Sequence, residues 1–178
     1  MRDLPRVALK HVGIFVTDFD TMVDFYVRLF GFHISDMEKG ARAVAFLTND
    51  PKAHHTFVIA GGRAPAAPST VNQLSFYADS LADVRRYWQA LEQEPLVRRK
   101  YATTHGNAWS VYFWDPEGNR VEIYTDTPWH IPQPAGTDID LTHSDEEIYR
   151  QTEAIVRADP KFETFADFTA RTAKALEK

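Results

Sequence analysis

Hydrophobic and polar positions fall into a pattern that occurs twice along the chain. Over 7–17 (VALKHVGIFVT) β-branched and aromatic residues dominate with a period of two, which predicts a strand. Met22, Val23, Phe25, Tyr26, Leu29 and Phe30 then recur at helical spacing. Asp18 or Asp20 can cap that helix, and Gly31 can take the left-handed geometry that ends it. Strands are expected at 33–37, 41–48 and 54–60, with a turn at Asn49-Asp50-Pro51-Lys52. A loop rich in Gly, Ala and Pro runs from Gly61 to Pro68.

The same order then restarts. Residues 71–78 read as a strand, and 81–92 as a helix with Leu81, Val84, Trp88 and Leu91 on one face behind Asp79 or Ser80. Strands follow at 95–101, 108–114 and 120–125, the last two joined by the turn Asp115-Pro116-Glu117-Gly118-Asn119. An offset of 62 lays His11 on Gln73, Phe25 on Tyr87 and Leu29 on Leu91, and an offset of 65 lays Asp50-Pro51 on Asp115-Pro116. This is an internal duplication. The expected class is α+β: two βαβββ modules, about 7–62 and 70–126, forming a curved mixed sheet with helices outside and a central cup. Residues 1–130 form that domain, and 131–178 an extended linker with a two-helix tail. Pro128 to Pro134 is extended. Ser144 and Glu147 make a capping box for a helix over 145–158, and Asp159-Pro160 separates it from a second helix over 163–177. Both tail helices are amphipathic, so they must cover either the outer sheet face or a second subunit, and a homodimer is expected.

Composition narrows the chemistry. The 178 residues carry a net charge of -5, of which residues 138–178, with 10 acidic and 6 basic side chains, hold -4. The body is therefore nearly neutral, and nucleic acid is an unsuitable partner. No apolar run approaches the ~18–20 residues of a membrane span, and Met1 to Pro5 lacks the apolar stretch of a signal peptide, so a cytoplasmic protein is expected. With no Cys, thiolate nucleophiles, disulfides and Cys-ligated metals are excluded, and a metal would need His, carboxylate or amide donors. Alternation places His11, Gly13, Phe15 and Thr17 on one strand face, and Gln73, Ser75 and Tyr77 on another. Glu122 sits among Val121, Ile123 and Tyr124, where a carboxylate is costly unless paired or bound to a metal.

Three motifs carry a family resemblance: Lys10-His11-Val12-Gly13, Phe25-Tyr26-x-x-Leu29-Phe30-Gly31-Phe32, and Asp115-Pro116-Glu117-Gly118-Asn119-Arg120-Val121-Glu122-Ile123. Over about 7–126 the chain resembles the vicinal oxygen chelate superfamily of glyoxalases, bleomycin-resistance proteins and extradiol dioxygenases. The resemblance implies a cup that binds a divalent metal through His11, Gln73 and Glu122, with a fourth family position on Phe57, which cannot ligate. Three ligands with open positions are similar to the extradiol branch, whose site is an Fe(II) facial triad. His54-His55-Thr56 resembles a run in which the second His is the acid–base catalyst, and Tyr112 matches a Tyr near the substrate hydroxyl. His105 and Trp109 are candidate substrate contacts, and His54 reads as a solvated edge residue. One departure stands out, since the extradiol pattern has His where this chain has Gln73.

The resemblance thus implies a ring-cleaving extradiol dioxygenase that uses Fe(II), or Mn(II) or another divalent ion, with a catechol-type substrate and dioxygen. Two alternatives stay open on the same fold: a non-redox glyoxalase- or epimerase-like metalloenzyme, and a binding protein with a degenerate metal site.

Overall fold

A computed structural model describes residue 5 and residues 7–177. Part of the N-terminal stretch read above as lacking a signal sequence lies outside the described residues. The chain divides into two compact units, Met1–Val71 with Asp115–Gly118, and Asn72–Trp114 with Asn119–Lys178.

In the first unit β1 (Val12–Val16), α1 (Phe19–Phe30), β2 (His33–Glu38), β3 (Val44–Thr48) and β4 (Phe57–Gly61) form a sheet of order β1-β4-β3-β2. Asp18 caps α1 by accepting from the Thr21 N–H, and Gly31, at φ 66°, closes it. Helix α1 buries Met22, Val23, Phe25 and Tyr26. The Asp-Pro-Glu-Gly turn is an architectural element of this unit. Asp115 accepts a 2.9 Å hydrogen bond from the buried Tyr26 hydroxyl. Glu117 accepts from the N–H groups of Thr17 and Asp18 and pairs with Arg63.

The second unit repeats the arrangement. β5 (Leu74–Tyr77), α2 (Leu81–Glu92), β6 (Lys100–Thr104), β7 (Ala108–Trp114) and β8 (Arg120–Asp126) are followed by β9 (Trp129–His130), β10 (Thr137–Asp138), α3 (Asp145–Arg157), β11 (Glu163–Thr164) and α4 (Phe165–Leu176). Its sheet has the order β10-β6-β7-β8-β5, so β5-β8-β7-β6 reproduces β1-β4-β3-β2. The class is mixed α+β, and both modules are βαβββ. The strands are shorter than the apolar runs suggested. Residues 7–11, 54–56, 71–73 and 95–99 stay outside the ladders.

The tail's first helix packs on its own unit. α3, capped by Ser144, buries Ile148, Thr152 and Val156. Thr152 accepts from the Trp109 indole at 2.8 Å, and Arg85 of α2 donates to the carbonyls of Leu141 and His143. Gly106, at φ 80°, makes this docking possible, since a Cβ there would lie 2.7 Å from Ile131 and 2.9 Å from Val156. α4 buries no residue of its own. Among the described residues, no helix is long and apolar enough to cross a membrane.

Candidate functional site

In the second unit, ladder register lays out one face of the sheet. Ser75 pairs with Glu122, Glu122 with Tyr112, and Tyr112 with Tyr101, so these four side chains form a row. The opposite face, with Val111, Phe113, Val121 and Ile123, is buried core. Glu122 is only 7% exposed and is held by three neutral donors. Tyr112 OH donates to Oε1 at 2.6 Å, and Ser75 Oγ and Gln73 Nε2 donate to Oε2 at 2.7 and 3.0 Å. Burial, and then the hydrogen bond to Glu122, push the Tyr112 phenol above its usual range, so it remains a proton donor. His105 meets the Tyr112 oxygen through Nε2 at 2.9 Å. Its Nδ1 lies 2.6 Å from the Ala135 carbonyl, which can only accept, so Nδ1 carries a proton.

Gln73 sits immediately before β5, and its amide has a defined sense. Its Nε2 faces Ser75 and Glu122, while its Oε1 accepts from Arg120 at 2.8 Å. Flipping the amide would set oxygen against carboxylate and NH2 against guanidinium, so both neighbours enforce this orientation. Arg120 is itself tied to Asn72 and lies over the Tyr112 ring.

In the first unit, His11 occupies the matching position, one residue before β1. The His55 ring lies 4.4 Å from the His11 ring, centroid to centroid. Burial, followed by the neighbouring His11 and His54, lowers the His55 pKa from its ordinary value. His54 is held too: its Nε2 meets Asp36 at 2.7 Å and its Nδ1 meets His55 Nδ1 at 2.9 Å.

Two expectations about side-chain direction change. Phe57 was placed at a fourth ligand position, but its ring packs against Tyr26 and Phe32 and is 1% exposed. Register explains this. Val12 pairs with Phe57 and Gly13 with Val58, just as Leu74 pairs with Val121 and Ser75 with Glu122. The counterpart of Glu122 is therefore Val58, which is equally unable to ligate. Trp109 lies on the opposite face of β7 from Tyr112 by alternation, 1% exposed beneath Tyr149 and Thr152. The structure gathers Gln73, His105, Tyr112 and Glu122 into one network and His11 with His55 into another, and leaves Trp109 out of both. Asp36, Ser75 and Arg120 join these networks without having been singled out as site residues. Only Ser75 was foreshadowed, by its alternation with Gln73.

Donor chemistry decides how a divalent metal would fit. Among the described residues, no three His, Asp or Glu side chains gather as a metal-holding group. The expected set contains just two such residues and an amide. A buried carboxylate bonded to neutral donors suits a cation, and imidazole suits a transition metal. Gln73 turns its nitrogen toward Glu122, and an amide ligates through oxygen. By donor type, an imidazole such as His11 and a carboxylate such as Glu122 each suit a metal, whereas Gln73 would have to give up Arg120 first.

A family profile described as the glyoxalase/bleomycin resistance protein/dioxygenase superfamily matches residues 8–123. A probable trivalent organoarsenical cleaving enzyme of Bacillus subtilis is 29% identical over 117 residues, covering 64% of this chain and 77% of that protein. Biphenyl-2,3-diol 1,2-dioxygenase 2 of Rhodococcus globerulus is 26% identical over 131 residues, covering 71% of this chain and 65% of the dioxygenase. The chain thus spans just under two thirds of the dioxygenase it matches. Among solved structures, the fosfomycin resistance protein FosX of Listeria monocytogenes, complexed with Mn(II) and sulfate, superposes with a TM-score of 0.52 at 17% identity. That match covers 69% of this chain and 95% of FosX, and it speaks to the fold alone.

Proposed function

The chain belongs to the glyoxalase/bleomycin resistance protein/dioxygenase superfamily, and from that premise we propose that it is a metal-dependent extradiol dioxygenase acting on a catechol-type substrate with dioxygen. The observation that carries the reading is His55, an imidazole of lowered pKa set against His11, the residue expected to ligate. A catalytic base works best when it is neutral at the working pH.

The roles follow from chemistry. His11 and Glu122 are the metal donors that the family resemblance implies, with Gln73 as the adjustable third. The metal, when bound, lowers the pKa of a catechol hydroxyl and brings both reactants to one centre. His55 takes the hydroxyl proton and later returns it. Tyr112, kept protonated, turns its one O–H from Glu122 to a substrate oxygen, and His105 Nε2 lies beside that hydroxyl. In the overall reaction both atoms of dioxygen enter the product as one ring carbon–carbon bond breaks, so no further reductant is needed. The organoarsenical relative is a weaker guide, because trivalent arsenic is a soft centre that favours thiolates and this chain has no Cys.

Gln73 favours a second reading. A harder oxygen donor in place of imidazole suits a non-redox enzyme using Mn(II) or Mg(II). Iron-loaded protein assayed aerobically on small and biaryl catechols separates the two. A yellow ring-cleavage product that disappears when oxygen is excluded supports the dioxygenase. No turnover of any catechol rejects it, and activity indifferent to oxygen supports the second reading.

A further inference from the structure

His54, read from sequence as a solvated edge residue, sits in a chain of contacts whose protons can be counted. Asp36 Oδ2 lies 2.7 Å from His54 Nε2. A carboxylate only accepts, so His54 Nε2 carries the proton of that contact. Neutral His54 then has a bare Nδ1. The proton in the 2.9 Å contact between the two Nδ1 atoms must come from His55. Two contacts use one proton from each neutral ring, and His55 Nε2 is left with its lone pair. We infer that Asp36 and His54 are positioning residues that hold His55 as its Nδ1–H tautomer and present Nε2 as the nitrogen that takes a proton.

The local fold is arranged for this. A register shift lies between Ile34, which pairs with Leu47, and Asp36, which pairs with Phe46. The bulge reverses the alternation of β2, so Asp36 comes onto the Phe46 face and not the opposite one. Phe46 packs against both imidazoles, with centroids at 5.8 Å from His54 and 5.1 Å from His55. Ser35, the extra residue of the bulge, donates to the His54 carbonyl at 2.5 Å and fixes the backbone below the rings. The bulge therefore supplies both the carboxylate and the backbone anchor. Side chains this exposed (57% for His54, 70% for Asp36) contribute little to stability, so their arrangement bears on ring orientation.

Which nitrogen of His55 is free can be measured with no substrate present. Histidine-labelled full-length protein is examined by proton–nitrogen correlation NMR at about pH 8.5, above the ordinary His range. In the wild type, His55 is expected to show a protonated Nδ1 and a bare Nε2. In Asp36→Ala and His54→Phe it should move toward the Nε2–H form that a free imidazole favours. A wild-type His55 protonated on Nε2, or a tautomer unmoved in both variants, overturns the inference. Its kinetic consequence rests on the dioxygenase reading: with a catechol, Asp36→Ala should lower kcat about tenfold at nearly constant KM. Wild-type protein that turns over no catechol rejects that reading alone, because the NMR result decides the tautomer independently.

Discussion

In the first module the imidazoles of His11 and His55 both precede their strands, and the position in register with Gly13 is Val58. The second module buries a carboxylate. Glu122, at the position equivalent to Val58, sits under Tyr112, Ser75 and Gln73. Strand order is the same in both, because a parallel crossover over one helix followed by two antiparallel returns has one economical solution. Duplication therefore conserves topology, and the chemistry diverges at single register positions. Imidazoles set just before their strands remain on one side, and a carboxylate locked by hydrogen bonds on the other.

The largest test of this comparison concerns register. Phe57→Ala should cost about 3–5 kcal/mol, the range for emptying a packed aromatic site, while Val58→Ala should cost about 1 kcal/mol. Urea midpoints check this, and equal costs would break the assignment of Val58 as the counterpart of Glu122. Next comes the contrast between donors. Glu122→Ala should cost about 1–3 kcal/mol, because three donors lose their acceptor, whereas His11→Ala should stay within about 0.5 kcal/mol. Gln73→His removes the amide that Arg120 holds and adds a ligating nitrogen. Fe(II) affinity measured by titration calorimetry should rise about tenfold, equivalent to ~1.4 kcal/mol.

The smallest effect is the pH dependence of His55. Its folded pKa lies below the unfolded value, so the unfolded chain binds more protons in the interval between the two. Stability should thus rise with pH through that interval below the ordinary His pKa, and level off above it. His55→Gln should flatten this slope in thermal melts recorded against pH. Tyr112 titrates above the usual phenol range, so no phenolate absorbance from it should appear as the pH approaches 10.

Much of this was legible in the residues. The duplication, the cap at Ser144 and the Gly31 stop follow from spacing and local chemistry, and Asp18 and Ser80 were each one of two cap candidates. A charge inside the apolar run around Glu122 announced a polar centre. Side-chain direction near strand ends was not legible. The resemblance set the fourth position on Phe57, one residue short of Val58, and only the ladder register reveals that offset. Asp36 was hidden because a bulge reverses parity without leaving a Gly or Pro as a mark. The orientation of the Gln73 amide depends on Arg120, 47 residues away, and no local pattern carries that. Trp109 is a substrate-contact candidate in the sequence because nothing in the tail indicates where α3 docks.

In the proposed function, His11 and Glu122 are both metal donors. The direct measurement is the Fe(II) or Mn(II) content of full-length protein after anaerobic loading and desalting, compared among wild type, His11→Ala and Glu122→Ala. The account predicts a stoichiometric ion in the wild type and its loss in each variant while the far-ultraviolet spectrum stays native. A wild type that retains no ion, or variants that retain it as well as the wild type does, would contradict the account.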